Sequence, residues 1–240
     1  MKQLFLLFLS LAISVNLVSQ EEEDSYMMME NVYIWVKPGN QNDFEKAVKA
    51  HNEAHHSGAH SARLVKVATG SDVGQYVWQM GPCTFTDLDS RPSDEAHDTD
   101  WQENVVPHIK YVSSVEYWRN MPKISHFKEG DDPHDKLSVW LLDIERGEWY
   151  RFKAFMEKAV AVSKKMDSTL SAWYNEFNEG DGRDAAIVWR LNGWSDLDNN
   201  EWSMSKEYDK MYGEGSWDDA MEEWEEFVKS RSAVIWEILD

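Results

Sequence analysis

The apolar positions of this chain follow one pattern twice. In the first half, Val32 to Val36 mixes β-branched and aromatic residues and predicts a strand. Phe44, Ala47, Val48 and His51 then fall at i, i+3, i+4, i+7, the spacing of one helix face. Two further strands are expected near 62–68 and 75–80, joined by the turn-forming stretch Gly70 to Gly74. A second helix follows, and Val112 to Trp118 closes the unit as a strand. The second half repeats this order. A strand spans Leu137 to Leu142, and a helix carries Phe152, Phe155, Met156 and Ala159 on one face. Strands are expected near 170–177 and 185–191 across the loop Glu179 to Asp184. A helix has the stripe Trp217, Ala220, Met221, Trp224, Phe227, Val228, with Ser216 and Asp219 as its expected capping box, and Ala233 to Leu239 forms a last strand. The stretch Glu201 to Tyr212 has no counterpart in the first half and shows a helical pattern of its own: Met204, Tyr208, Met211, Tyr212.

Individual residues match as well as elements. Val77-Trp78-Gln79-Met80-Gly81 aligns with Val188-Trp189-Arg190-Leu191-Asn192, and Phe85-Thr86-Asp87-Leu88-Asp89 with Trp194-Ser195-Asp196-Leu197-Asp198. Trp101 aligns with Trp224, Trp35 with Trp140, and a glycine precedes each first-helix phenylalanine by five residues (Gly39 before Phe44, Gly147 before Phe152). The matches keep one order, as a duplication requires. The expected organisation is a leader at 1–19, an acidic stretch at 20–26, a first repeat at 27–120, a linker at 121–135 containing Pro122, Gly130 and Pro133, and a second repeat at 136–240.

The element order β-α-β-β-α-β is that of a ferredoxin-like module. Two such modules in one chain resemble the dimeric α/β-barrel superfamily, in which two ferredoxin-like sheets face each other. The expected fold is therefore α+β: two ferredoxin-like modules packed as an intrachain dimeric α/β barrel. The resemblance covers nearly all of the chain after the leader and rests on element order and duplication. It implies a pocket between a sheet and its helices. It also implies a range of activities, from cofactor-independent and haem-degrading monooxygenases to isomerases, peroxidase relatives and stress-response barrels. Fold alone does not choose among them.

Lys2 followed by the apolar stretches Leu4 to Leu9 and Leu11 to Val18, then small Ser19 and the acidic run Glu21 to Asp24, reads as an export signal. A secreted or periplasmic protein is expected, without a membrane span. Cys83 is the one cysteine, so no intrachain disulfide is available. The net charge of −20 argues against nucleic acid and anionic membrane surfaces as partners, and fits an acidic surface that keeps an exported protein soluble. The partner expected is a small-molecule ligand, and the assembly a monomer (a pseudo-dimer) or a homodimer.

Candidate chemistry comes from comparing the repeats. Pairing Phe44 with Phe152 sets His51 against Ala159 and His55 against Ser163. Pairing Trp101 with Trp224 sets His97 against Ala220, Asp98 against Met221 and Asn104 against Phe227. The first repeat thus has polar groups where the second has core residues, and buried polar groups cost about 1–3 kcal/mol each unless satisfied. His51, His55 and His97 are the candidate catalytic residues. Trp101, Asn104 and His108 are the candidate binding residues, expected to share one cavity with them. The alternative is a short, frayed second helix that leaves these side chains in water. His51 and Glu53 do not have the zinc-protease spacing, in which the glutamate directly follows the first histidine, and nothing in the sequence names a cofactor or a metal. The 13 tryptophans suggest stacking on a sugar, yet the paired ones read as fold-building; Trp149, Trp173, Trp194, Trp202 and Trp217 lack a partner. A small-molecule oxygenase or isomerase and a non-catalytic module for a glycan or hydrophobic metabolite are the two functions in view.

Overall fold

The computed structural model describes residues 26–128, 136–178, 182–198 and 203–239. The expected leader at 1–19 and most of the acidic stretch behind it lie outside them, as do much of the expected linker and part of the loop from Glu179 to Asp184. Eight strands form one closed antiparallel barrel. In chain order they are β1 (Met28–Val36), β2 (Ala62–Val67), β3 (Tyr76–Cys83), β4 (Ile109–Asn120), β5 (Lys136–Ile144), β6 (Leu170–Asn175), β7 (Ala185–Leu191) and β8 (Val228–Ile238). Around the barrel they run β1-β3-β2-β8-β5-β7-β6-β4. The first four strands thus lie in the order β4-β1-β3-β2 and the last four in the order β8-β5-β7-β6, and the two sets meet at β2–β8 and β4–β6.

Six α-helices cover the outside: α1 (Gln41–His55), α2 (Phe85–Leu88), α3 (Glu95–Asp100), α4 (Trp149–Lys165), α5 (Met204–Tyr212) and α6 (Ser216–Phe227). Because side chains alternate along a strand, the sheet sorts its apolar residues into an inner and an outer set. Tyr33, Val65, Val77, Val139, Leu141, Val234 and Trp236 fill the barrel interior. Outside, Ile34, Val36, Leu64, Tyr76 and Trp78 pack beneath α1, where Phe44 and Val48 are fully buried. On the other half, Leu142, Ile144, Ala172 and Ile187 pack against Phe152 and Met156 of α4 and Trp224 and Phe227 of α6. The apolar residues therefore form three layers, one inside the barrel and one beneath each set of helices, and strand residues contribute to all three.

Several sequence expectations change here. The start of the expected linker is anchored to the fold. Ile124 is 3% exposed in the core under α4, and His126 bridges to Leu170. Ser216 does not cap α6. Gly215 takes the cap position at φ 83°, and Asp209 of α5 accepts from both Ser216 Oγ (3.2 Å) and Trp217 N (2.8 Å). The pairing of Trp35 with Trp140 is off by one residue. Trp78 faces Val32 and Trp189 faces Ser138, so Trp140 corresponds to Ile34, on the opposite face from Trp35. Asp87 and Asp196 do serve corresponding turns: one accepts from Thr84 N at 2.6 Å, the other from Asn192 N at 2.7 Å.

Candidate functional site

Helix α1 positions the first histidines. Its buried stripe runs Phe44, Val48, His51, and His51 is 1% exposed, in line with the 3% of its sequence counterpart Ala159. His55 lies one turn further on, with its side chain 18% exposed. The helix stops there. His56 takes an extended conformation (φ −115°, ψ 113°) and its N–H closes on Asn52 O, which swings its ring back under the helix and over Trp78, 5.1 Å between centroids. His97 arrives from α3, whose first turn is capped by the Asp94 side chain accepting from the N–H groups of Ala96 and His97. The ring of His51 then lies 5.0 Å from His55, 5.2 Å from His56, 4.8 Å from His97 and 4.9 Å from Trp101, centroid to centroid.

The polar partners of these rings are specific. His51 Nδ1 donates to Asp100 Oδ2 at 2.7 Å, while His55 Nε2 lies 3.8 Å from the same oxygen. His56 Nδ1 faces His60 O at 3.0 Å, and His97 Nδ1 faces Asp98 Oδ1 at 2.9 Å. Nε2 of His51 and Nε2 of His56 face each other at 3.3 Å. Burial pushes the His51 imidazole below its ordinary pKa and takes His56 down to about 4. The hydrogen bond from His51 holds the Asp100 carboxyl below the usual carboxylate range.

Of the six candidates, His51, His55, His97 and Trp101 come together. Asn104 does not line the cluster: it is exposed and reaches it only through Asp100, whose Oδ1 accepts from Asn104 Nδ2 at 2.7 Å. The reason is a π-helical turn over Trp101–Val105, which inserts an extra residue per turn and gives Val105, 0% exposed, the inward place expected for Asn104. His108 is elsewhere, with Nδ1 3.2 Å from Asn40 Nδ2 at the opposite end of α1 from His55. Asp100 and His56 were not among the candidates. Asp100 lies three residues after His97 on the same helical face, so spacing could have found it. His56 joins only because α1 ends where it does. The cluster's own rings and Trp101 fill the space between them, where the sequence suggested an open ligand pocket.

An open cavity of about 280 Å³ lies instead inside the barrel, on the other face of the first half's strands. Trp78 and Gln79, neighbours on β3, divide the two places: Trp78 packs against His56, and Gln79 lines the cavity. Gln79 Nε2 donates to Asn31 Oδ1 at 2.9 Å, and Arg63 Nε donates to Gln79 Oε1 at 3.0 Å. Trp118 of β4 and Trp236 of β8 flank this polar row, and Val139, Leu141, Val188 and Trp173 line the cavity from β5, β7 and β6 across the barrel. Among the described residues, the ionisable ones of the lining are Arg63 and Arg190.

The described folds agree with solved structures over nearly the whole chain. A candidate monooxygenase of Fusobacterium nucleatum superposes with a TM-score of 0.59 at 10% identity, covering 90% of this chain and 94% of its own. One from Lactobacillus acidophilus gives 0.58 at 10% identity over 89% and 95%. An anthrone oxidase-like protein gives 0.52 at 9% identity over 90% and 92%. The chain has the dimeric α/β-barrel fold. At these identities the likeness is one of fold. No protein-family model matches the sequence, and no curated protein matches it. Among the described residues no helix of this barrel is long and apolar enough to cross a membrane.

Proposed function

We propose that this chain is an exported small-molecule-processing barrel built from two ferredoxin-like modules, residues 27–120 and 136–240, and that it works as a cofactor-independent oxygenase or isomerase. The observation that carries the reading is the interior cavity. Amide and guanidinium donors share this space with three indoles and aliphatic groups, a lining suited to a planar apolar molecule bearing an acidic oxygen. Arg63 and Arg190 favour the anion of that oxygen over the neutral form. The aromatic wall orients the ring and excludes water. The monooxygenase and oxidase names of the fold's relatives are consistent with chemistry on such an anion. The sequence candidates His51, His55 and His97 lie across the sheet from this cavity, so their part is a separate one.

Haem, the cofactor that the resemblance implies for some members, does not fit either place. Among the described residues the cavity lining has no His, Cys or Tyr to serve as an axial ligand, and about 280 Å³ is at the small end for any ligand pocket. The histidine cluster is closed by its own rings and by Trp101. Haem added to the protein should keep the visible spectrum of the free compound.

The test is oxygen uptake with a panel of phenols, quinols and enolisable ketones, read beside the ligand-induced rise in melting temperature. Val188→Trp, which fills the cavity from β7, should abolish both while circular dichroism is preserved. A substrate whose turnover survives in Val188→Trp would place the chemistry elsewhere. Stabilisation by ligands with no turnover would favour the second reading, a non-catalytic binding module for a glycan or hydrophobic metabolite.

A further inference from the structure

We propose that the histidine cluster of the first half is a binding site for one divalent first-row transition cation, zinc foremost, held by the Nε2 atoms of His51, His56 and His97. This inference is independent of the interior cavity and of any ligand bound there.

Tautomers carry the argument. His51 Nδ1 faces a carboxylate oxygen of Asp100 (2.7 Å), and His56 Nδ1 faces the carbonyl oxygen of His60 (3.0 Å). Neither oxygen has a proton to give, so each Nδ1 carries the hydrogen. In the neutral rings that leaves a bare lone pair on each Nε2. The two Nε2 atoms nevertheless point at one another from 3.3 Å. Facing lone pairs repel, and a cation between them turns the contact into an attraction. His97 completes the set. Its Nδ1 is bound to Asp98 Oδ1 at 2.9 Å, which leaves Nε2, and the three histidines offer ring nitrogens within 4.8 Å of one another. One ring nitrogen on an oxygen acceptor and the other turned inward, as in His51 and His56, is how metal-bound histidines are ordinarily oriented.

Distance supports the same conclusion. Two imidazole nitrogens bound to zinc at tetrahedral angles are about 3.3 Å apart, which is the separation observed between His51 and His56. All three ligands are neutral nitrogens, a donor set that suits zinc, copper, nickel or cobalt and disfavours calcium and magnesium. His55, its ring 5.0 Å from His51 and 5.4 Å from His97, is the nearest further nitrogen donor. The bound ion would tie the end of α1 to α3, and the matching positions of the second half, Ala159 and Ala220, offer no ligand.

The experiment uses the full chain without an affinity tag, stripped with chelator. Zinc is titrated by calorimetry, and cobalt is added separately for its visible d–d bands. One zinc per chain, a cobalt spectrum of nitrogen coordination and a raised melting temperature are expected. His97→Gln and His56→Gln, at half-buried positions, should each weaken zinc at least 100-fold with the circular dichroism spectrum unchanged. His108→Gln, outside the cluster, should bind as the unaltered protein does. If a substitution at His56 perturbs the fold, His97→Gln alone decides. Failure to bind zinc or cobalt at micromolar concentration, or equal binding by His97→Gln and His108→Gln, would overturn the proposal. Neither result bears on ligand binding in the barrel.

Discussion

At the scale of single residues, burial decides more than residue type. Cys83, the chain's one thiol, is 4% exposed at the end of β3, and burial pushes its pKa up to about 11. The thiolate is the reactive form. The native protein should therefore resist alkylation at pH 8, with a labelling rate that climbs about tenfold per pH unit until the pKa is approached. Unfolding in denaturant should make the thiol react at once. Mass spectrometry of iodoacetamide-treated samples checks this, and rapid native labelling at pH 8 would contradict it. Burial likewise holds His51 and His56 below the ordinary imidazole pKa.

At the scale of elements, periodicity located the helices, and local irregularities decided which side chains they aim inward. The first-half stripe Phe44, Val48, His51 was readable because α1 is regular to its end. The α3 region was not, because the π-turn at Trp101–Val105 breaks the 3.6-residue period on which the comparison with Trp224 and Phe227 relied. This gives an opposed pair of expectations. Val105→Ala should cost about 2–3 kcal/mol in urea unfolding, as a fully buried aliphatic does, while Asn104→Ala should cost less than about 1 kcal/mol, the value of its one hydrogen bond to Asp100. The reverse ranking would mean that the turn is regular α-helix.

At the scale of the whole molecule, closure is the main constraint. Each half leaves the outer edges of two strands open, those of β2 and β4 in the first, and these edges are satisfied by β8 and β6. The inner faces, with Tyr33, Val65, Val77 and Trp118 on one side, would also be bared. Residues 27–120 produced alone should therefore associate through their edges. Size-exclusion chromatography with light scattering should show a dimer or larger species. A folded, stable monomer would show that the halves are independent units.

The sequence by itself determined the eight strands, five of the helices and their order, because strand and helix periods are local properties of the chain and the second half showed the same periods again; the four-residue α2 is too short to carry a period. It also marked His51, His55, His97 and Trp101, since a polar residue on an apolar stripe is visible from spacing alone. Asp100, one turn after His97 on the same helical face, was within reach of the same spacing, whereas only the tertiary structure decided that His56 and Asp100 close around His51. Their place depends on where α1 stops and how α3 crosses it, which no single-segment pattern encodes. It alone also located the cavity, whose Asn31, Arg63, Gln79 and Arg190 come from β1, β2, β3 and β7. Those residues share a space only once the sheet has closed, since closure puts the inward sides of strands distant in sequence around one volume.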